Sequence, residues 1–270
     1  MSGICKLFGI PLAKVTQAEA VEKIIELAKT PRRPAHFVAT LNVDFVSNAV
    51  PAWPFKGDRE LWLYLRRSDF VVADGMPIVW LSRLTRNPLP ERVTGSDGVP
   101  MICKRCAEEG LSIYVLGGTD VVNNEAFARL RETSPNLKIA GMDTSHVRLE
   151  DDQGPLLAKI NAAKPDVLFV ALGNPKEELW MGRCAPLLDA GVVIGVGGSF
   201  NFLAGLVKRA PEWMQKSGLE WVYRICQEPK RLWKRYVYGL FKFSWLALRS
   251  LVGVYRDAED GDSPDESGSP

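Results

Sequence analysis

Apolar residues in this chain recur in two alternating rhythms. Short, unbroken apolar runs end in Gly, Asp or Asn, and longer stretches with helical spacing separate them. Thr16-x-x-Glu19 has the form of a capping box and opens an amphipathic helix through about Ala28. The run H-F-V-A-T-L (36–41) predicts a strand and R-E-L-W-L-Y-L-R-R (59–67) a helix. D-F-V-V-A (69–73) predicts a buried strand ending in an Asp74-Gly75 turn, followed by an almost wholly apolar helix over 76–84. V-T-G-S-D-G (93–98) opens a further helix through Glu109. The second half is more regular, with β-rich runs at 112–117, 137–141, 166–173 and 192–198 between helical patterns. Unbroken apolar strands alternating with helices predict an α/β fold, a Rossmann-like parallel sheet with helices on both faces.

The pattern changes near residue 208. From Lys208 to Arg256 there are 11 Lys or Arg against 3 Glu, with aromatic residues interleaved. Arg235, Lys242, Arg249 and Arg256 are seven residues apart, so on one helix they form a single stripe, and between them lie Val237, Leu240, Phe241, Phe243, Trp245, Leu246, Leu248, Leu251 and Val252. A basic stripe on an apolar helix from Pro229 to Arg256 reads as an interfacial helix on anionic lipid. The alternative is a terminal helix docked on its own domain with snorkelling cations. Residues 257–270 hold six acids and no cation, in the composition of a disordered tail. Three segments are therefore expected: an α/β catalytic domain (1–207), a C-terminal helical basic appendage that associates with membrane (208–256), and an acidic tail (257–270).

Composition narrows the chemistry. An apolar fraction of 46% allows a sizeable core in 270 residues. Five cysteines do not read as a disulfide framework in a chain of this length, and Cys103-x-x-Cys106 has neither a second pair nor a nearby histidine. With only His36 and His146, a metal site or triad built on histidine is poorly supplied. The N-terminal residues lack the long apolar run of a secretory signal, and no run of about 18 apolar residues suggests a spanning helix. The expected location is cytoplasmic, peripheral on the inner face of the cell membrane.

In open α/β sheets ligands bind beyond the C-terminal strand ends. Those ends carry T-L-N-V-D (40–44), A-D-G (73–75), L-G-G-T-D (116–120), L-G-N-P-K-E-E (172–178) and V-G-G-S-F-N (196–201). Neither G-x-G-x-x-G nor a Walker A loop is present. Asp74 stands where a general base could face a pocket, or where a turn or N-cap aspartate would stand; Asp44 ends another strand. Gly117, Gly173 and Gly197 would let a diphosphate approach backbone N–H groups, or would serve tight strand-helix turns. Lys176, Glu177 and Glu178 open a helix, where acids suit the dipole or could bond a sugar hydroxyl.

The strings T-L-N-V-D-F, A-D-G-M-P-I-V-W, E-R-V-T-G-S-D, L-G-N-P-K-E-E-L-W, G-V-G-G-S-F-N-F-L-A-G, K-R-A-P-E-W and L-E-W-V-Y-R-I-C-Q-E-P-K-R occur in this order. Over roughly residues 5 to 237 the chain resembles the WecG/TagA/CpsF glycosyltransferases. The resemblance implies an inverting transferase that moves a hexose or N-acetylhexosamine from a UDP-sugar donor to a polyprenyl-diphosphate-linked sugar acceptor in surface polysaccharide biosynthesis. It implies a membrane surface as partner, no nucleic acid, no cofactor and no bound metal; a homo-oligomer is a further expectation. Asp74 matches the family's base, Thr40 and Asn42 its active-site Thr and Asn, and Arg92 a diphosphate-binding arginine. Arg224 and Arg231 match a basic motif that closes over substrate. Glu177 stands where the family usually has Gln, and Asn201 where it often has Asp, so the donor sugar stays open. A Rossmann-like oxidoreductase and a non-catalytic membrane- or nucleic-acid-binding protein are the rival readings.

Overall fold

The computed structural model describes residues 3–30, 34–227 and 229–252, without the side chains of Lys216, Arg231, Leu232, Lys234 and Arg235. The calls on Arg231 and Arg235 as side chains, on Arg256 and on the acidic tail lie outside the described residues.

Two short strands, β1 (Ile4–Leu7) and β2 (Ile10–Ala13), pair antiparallel as an N-terminal hairpin. Then follow α1 (Gln17–Ala28), β3 (His36–Leu41), α2 (Val43–Ala49), α3 (Arg59–Arg67), β4 (Phe70–Ala73), α4 (Met76–Ser82) and α5 (Gly95–Glu109). The regular half comprises β5 (Ser112–Gly117), α6 (Asp120–Thr133), β6 (Lys138–Asp143), α7 (Gly154–Ala163), β7 (Val167–Ala171), α8 (Lys176–Cys184), β8 (Val192–Gly195) and α9 (Ser199–Leu203). The chain closes with α10 (Glu212–Lys216), α11 (Glu220–Gln227) and α12 (Pro229–Leu251). Every predicted strand and helix is present within a few residues. The hairpin and α2 are additional elements, short runs without a distinctive period.

Local chemistry sets the boundaries. Thr16 and Glu19 form the capping box reciprocally, Thr16 N donating to Glu19 Oε2 at 2.8 Å and Glu19 N to Thr16 Oγ1 at 3.3 Å. Thr94 and Thr119 cap α5 and α6 through their hydroxyls, and α5 ends on left-handed Gly110.

The six parallel strands lie in the order β4-β3-β8-β7-β5-β6. Side chains alternate between two buried layers. Phe37, Ala39 and Leu41 of β3, with Leu168 and Val170 of β7, face the layer holding α2, α3, α7, α8, the hairpin and part of α12. Val38, Val167, Phe169, Val192 and Ile194 face α1, α5, α6 and α9. Both faces are covered, as unbroken apolar strands require.

The last helix is seated on the domain. Phe243 and Leu246 are buried in the first layer, each worth roughly 1.5–3 kcal/mol of transfer free energy, and Phe243 meets Phe8 edge-on at 5.7 Å. Ser47 Oγ donates to Gly239 O at 3.1 Å, and Trp245 Nε1 to Trp53 O at 3.1 Å. The expected lipid-facing basic stripe needs correction. Lys242 is only 2% exposed, and its ammonium donates to Lys56 O at 2.5 Å. This stripe position turns inward because its long stem reaches a backbone carbonyl beneath the helix. From Val237 onward the outward face carries the exposed apolar residues Val237, Phe241 and Val252.

Candidate active site

A cavity of about 620 Å³ opens at the C-terminal ends of β3 and β4. Its wall has two chemistries. Helices α4 and α12 supply apolar groups, among them Trp80, Leu84, Phe243, Leu248 and Leu251. The ends of β3 and β4, the segment before α5, and α11 supply Asn42, Asp74, Arg92, Glu220 and Arg224, with Arg209 from the segment before α10.

Asp74 follows directly on β4, its N–H bonded to Leu41 O at 2.7 Å. The N-cap of α4 is Gly75, with no side-chain capping bond, so the capping alternative for Asp74 does not hold. Its Oδ2 instead accepts a long bond, 3.5 Å, from Gly95 N at the start of α5. Burial pushes the carboxyl up to about 6, against the pull of the Arg92 guanidinium and the Gly95 N–H, while Glu220 and Asp97 add to the rise. A carboxylate poised there is ionised at neutral pH and still basic enough to take a proton.

Around it runs a chain of paired charges. Arg92 Nη1 donates to Glu220 Oε2 at 3.0 Å, with both side chains largely buried. Arg209 is bidentate on Asp97, one bond through Nη1 and the other from Nη2 at 3.3 Å, and its Nε lies 4.0 Å from Glu220 Oε1. Arg224 stacks over the Phe202 ring, its Cζ 5.7 Å from the centroid. Asn42 faces the cavity while its Oδ1 caps α2, accepting Asp44 N at 3.0 Å and Phe45 N at 3.2 Å. Asp44 also lines the wall.

Four expected residues thus meet at one cavity: Asn42, Asp74, Arg92 and Arg224. Thr40 does not line it; buried between strands, it donates to Gly195 O at 3.1 Å and ties β3 to β8. The others stand along the neighbouring strand ends. Gly117 has φ +99°, and a Cβ there would sit 2.5 Å from Ala171 O, so a tight turn requires the glycine. Gly173, at φ +78°, faces open space. Glu177 is buried behind the loops, accepting Gly173 N at 3.0 Å and Gly197 N at 3.2 Å. Lys176 donates to Val147 O at 3.1 Å, and Asn201 sits in α9. Sequence reasoning left Arg209, Asp97 and Glu220 without roles. The strings R-A-P-E-W, T-G-S-D and E-W-V-Y-R contain them, but only their convergence shows the network.

Cys103 and Cys106 are buried in α5, and burial pushes both thiols up, Cys106 to about 12. Among the described residues no group of three or more His, Cys, Asp or Glu is placed to hold a metal ion, and no helix is long and apolar enough to cross a membrane.

A family model described as the glycosyl transferase WecG/TagA/CpsF family matches residues 5–257. This chain belongs to the WecG/TagA/CpsF family of glycosyl transferases. An N-acetylglucosaminyldiphosphoundecaprenol N-acetyl-beta-D-mannosaminyltransferase of Bacillus subtilis (strain 168) is 34% identical over 198 residues, 73% of each chain. The enzyme of the same name from Bacillus spizizenii is 34% identical over 171 residues, covering 63% of this chain and 65% of that one. Among solved structures, a substrate-binding periplasmic protein from Ralstonia solanacearum overlaps loosely, with TM-score 0.30 and 16% identity over 92% of this chain and 71% of that one. As a WecG/TagA/CpsF member the chain is a glycosyltransferase of cell-envelope polysaccharide biosynthesis. All of its family strings except L-G-N-P-K-E-E-L-W supply residues to the cavity wall.

Proposed function

We propose that this glycosyltransferase moves a hexose or N-acetylhexosamine, with inversion, from a UDP-sugar to the free hydroxyl of a polyprenyl-diphosphate-linked sugar. The observation that carries the reading is Asp74, held at the cavity with its carboxyl raised to about 6 among Arg92, Arg209 and Arg224. The acceptor hydroxyl oxygen attacks the anomeric carbon as its proton passes to the Asp74 carboxylate. The bond from that carbon to the donor diphosphate oxygen breaks, and the electron pair leaves on UDP. Guanidinium groups at the cavity meet the anionic diphosphates, Arg224 lying over the Phe202 ring rather than in an ion pair among the described residues.

The two-sided wall supports an amphipathic acceptor. A diphosphate suits the arginines, and the first prenyl units suit Trp80, Leu84, Leu248 and Leu251. The outer apolar face of α12 supports peripheral attachment to the bilayer that holds such a lipid. The names of the Bacillus relatives support a lipid-diphosphate acceptor. The donor is left as a class, because Glu177 is committed to backbone N–H groups.

The test is UDP release across a panel of UDP-sugars, with and without a short-chain polyprenyl-diphosphate sugar. Acceptor-dependent release that falls by about 10²-fold or more in Asp74→Asn supports the reading. Near wild-type turnover in Asp74→Asn sinks it.

A further inference from the structure

Two adjacent carboxylates, Glu177 and Glu178, are 2% and 0% exposed at the start of α8, and the transfer chemistry does not use them. Glu177 Oε2 accepts both Gly173 N, in the loop after β7, and Gly197 N, in the loop after β8. Glu178 Oε2 accepts Asn174 Nδ2 at 3.2 Å, and Asn174 Oδ1 in turn accepts Asn48 Nδ2 of α2. The remaining oxygens converge: a Cβ on Gly195 would stand 3.0 Å from Glu177 Oε1 and 3.3 Å from Glu178 Oε1. If both groups were ionised, Glu178 Oε1 would have no hydrogen-bond partner.

A buried, partnerless oxygen beside a second carboxylate has a simple resolution. A proton on Glu178 Oε1 donates to Glu177, satisfies the orphan and removes one of two like charges. We infer that Glu177 and Glu178 share one proton and act as a latch, holding the glycine loops after β7 and β8 at a fixed separation along the substrate edge of the sheet. Burial raises both carboxyls; Glu178 goes well above the usual range because the charge of Glu177 adds to burial, whereas Glu177 is restrained by its hydrogen bonds from Glu178 and the glycine N–H groups.

Nearby charges do not replace the proton. Lys176 and Arg183 on α8 are turned to Val147 O and to Glu60 of α3. Of the other ionisable groups on α3, Tyr64 bonds Glu60 and Arg66 lies over Trp62, leaving Arg59 and Arg67, and among the described residues no ion pair joins either of them to Glu177 or Glu178. Strands β7 and β8 carry no ionisable side chain, and His36 is at the far end of β3. Loss of the proton at alkaline pH therefore leaves two facing negative charges and opens the latch. The consequence for sugar transfer rests on the function proposed above; the shared proton and the latch do not.

The experiment uses the full chain. Infrared spectra of ¹³C-glutamate-labelled protein at neutral pH should show a buried protonated carboxyl that disappears in both Glu177→Gln and Glu178→Gln. Amide exchange at Gly173 and Gly197, expressed relative to the intrinsic base-catalysed rate at each pH, should stay slow in both Gln variants, whose amide supplies the missing donor, and should lose the alkaline rise expected of the wild type. In Glu177→Ala it should rise about tenfold or more, the effect of losing a net hydrogen bond. A wild type without a protonated buried carboxyl overturns the shared proton. Unchanged glycine exchange in Glu177→Ala overturns the latch, and if that variant does not fold, a wild-type-like alkaline rise in the relative exchange rate persisting in Glu177→Gln does so.

Discussion

Asp74→Asn should make the protein more stable while it removes activity. Burial of its charge is the largest cause that pushes the carboxyl up to about 6 in the fold, from the ordinary aspartate value of 3.8. A shift of that size corresponds to about 2–3 kcal/mol of strain carried by the ionised form at neutral pH. The sign follows from linkage. A raised folded-state value means that the native protein binds the proton more tightly than the unfolded chain. Below the unfolded value both states are protonated and nothing is lost. As pH rises from about 4 to about 6, wild-type stability falls relative to the neutral variant, and above that the gap is constant. Asn keeps an oxygen that accepts from Gly95 N and matches the shape, so the difference reports the charge. Urea denaturation of both proteins at pH 4, 5, 6 and 7.5 measures it. A variant more stable by about 2–3 kcal/mol at pH 7.5, with the gap closing toward pH 4, is expected. Equal stability at pH 7.5, or a gap independent of pH, would refute the claim that the site stores this cost.

Further outcomes are expected. Gly117→Ala should destabilise the fold by roughly 3 kcal/mol or more, because the new Cβ meets Ala171 O at a φ of +99°. Gly173→Ala, with open space around its Cβ, should cost only about 1 kcal/mol; comparable urea midpoints for the two variants would contradict this. Val237→Glu, on the outer face of α12, should reduce flotation with anionic vesicles by about tenfold while leaving the melting temperature within a degree or so. Deleting α12 is a poorer test, since it would strip Phe243 and Leu246 from the core.

The sequence alone determined the class of fold, because burial of both sheet faces writes an unbroken apolar run for each strand, and caps such as Thr16 and Gly110 are local chemistry. It also determined the candidates at the strand ends, since motifs after parallel strands face a common edge. What it did not determine was which of them meet. Asn42, Asp74, Arg92 and Arg224 share a cavity, whereas Thr40 serves the sheet and Glu177 the glycine loops, and those assignments depend on strand order and on which way each side chain points. The same holds for α12. Seven-residue spacing groups cations by position along a helix, yet periodicity is silent on which face the domain buries. Tertiary contact decided that Lys242 reaches inward to Lys56 O and that the apolar side faces out. The charge network of Arg209, Asp97 and Glu220 joins residues more than 100 positions apart, a proximity that only chain folding creates.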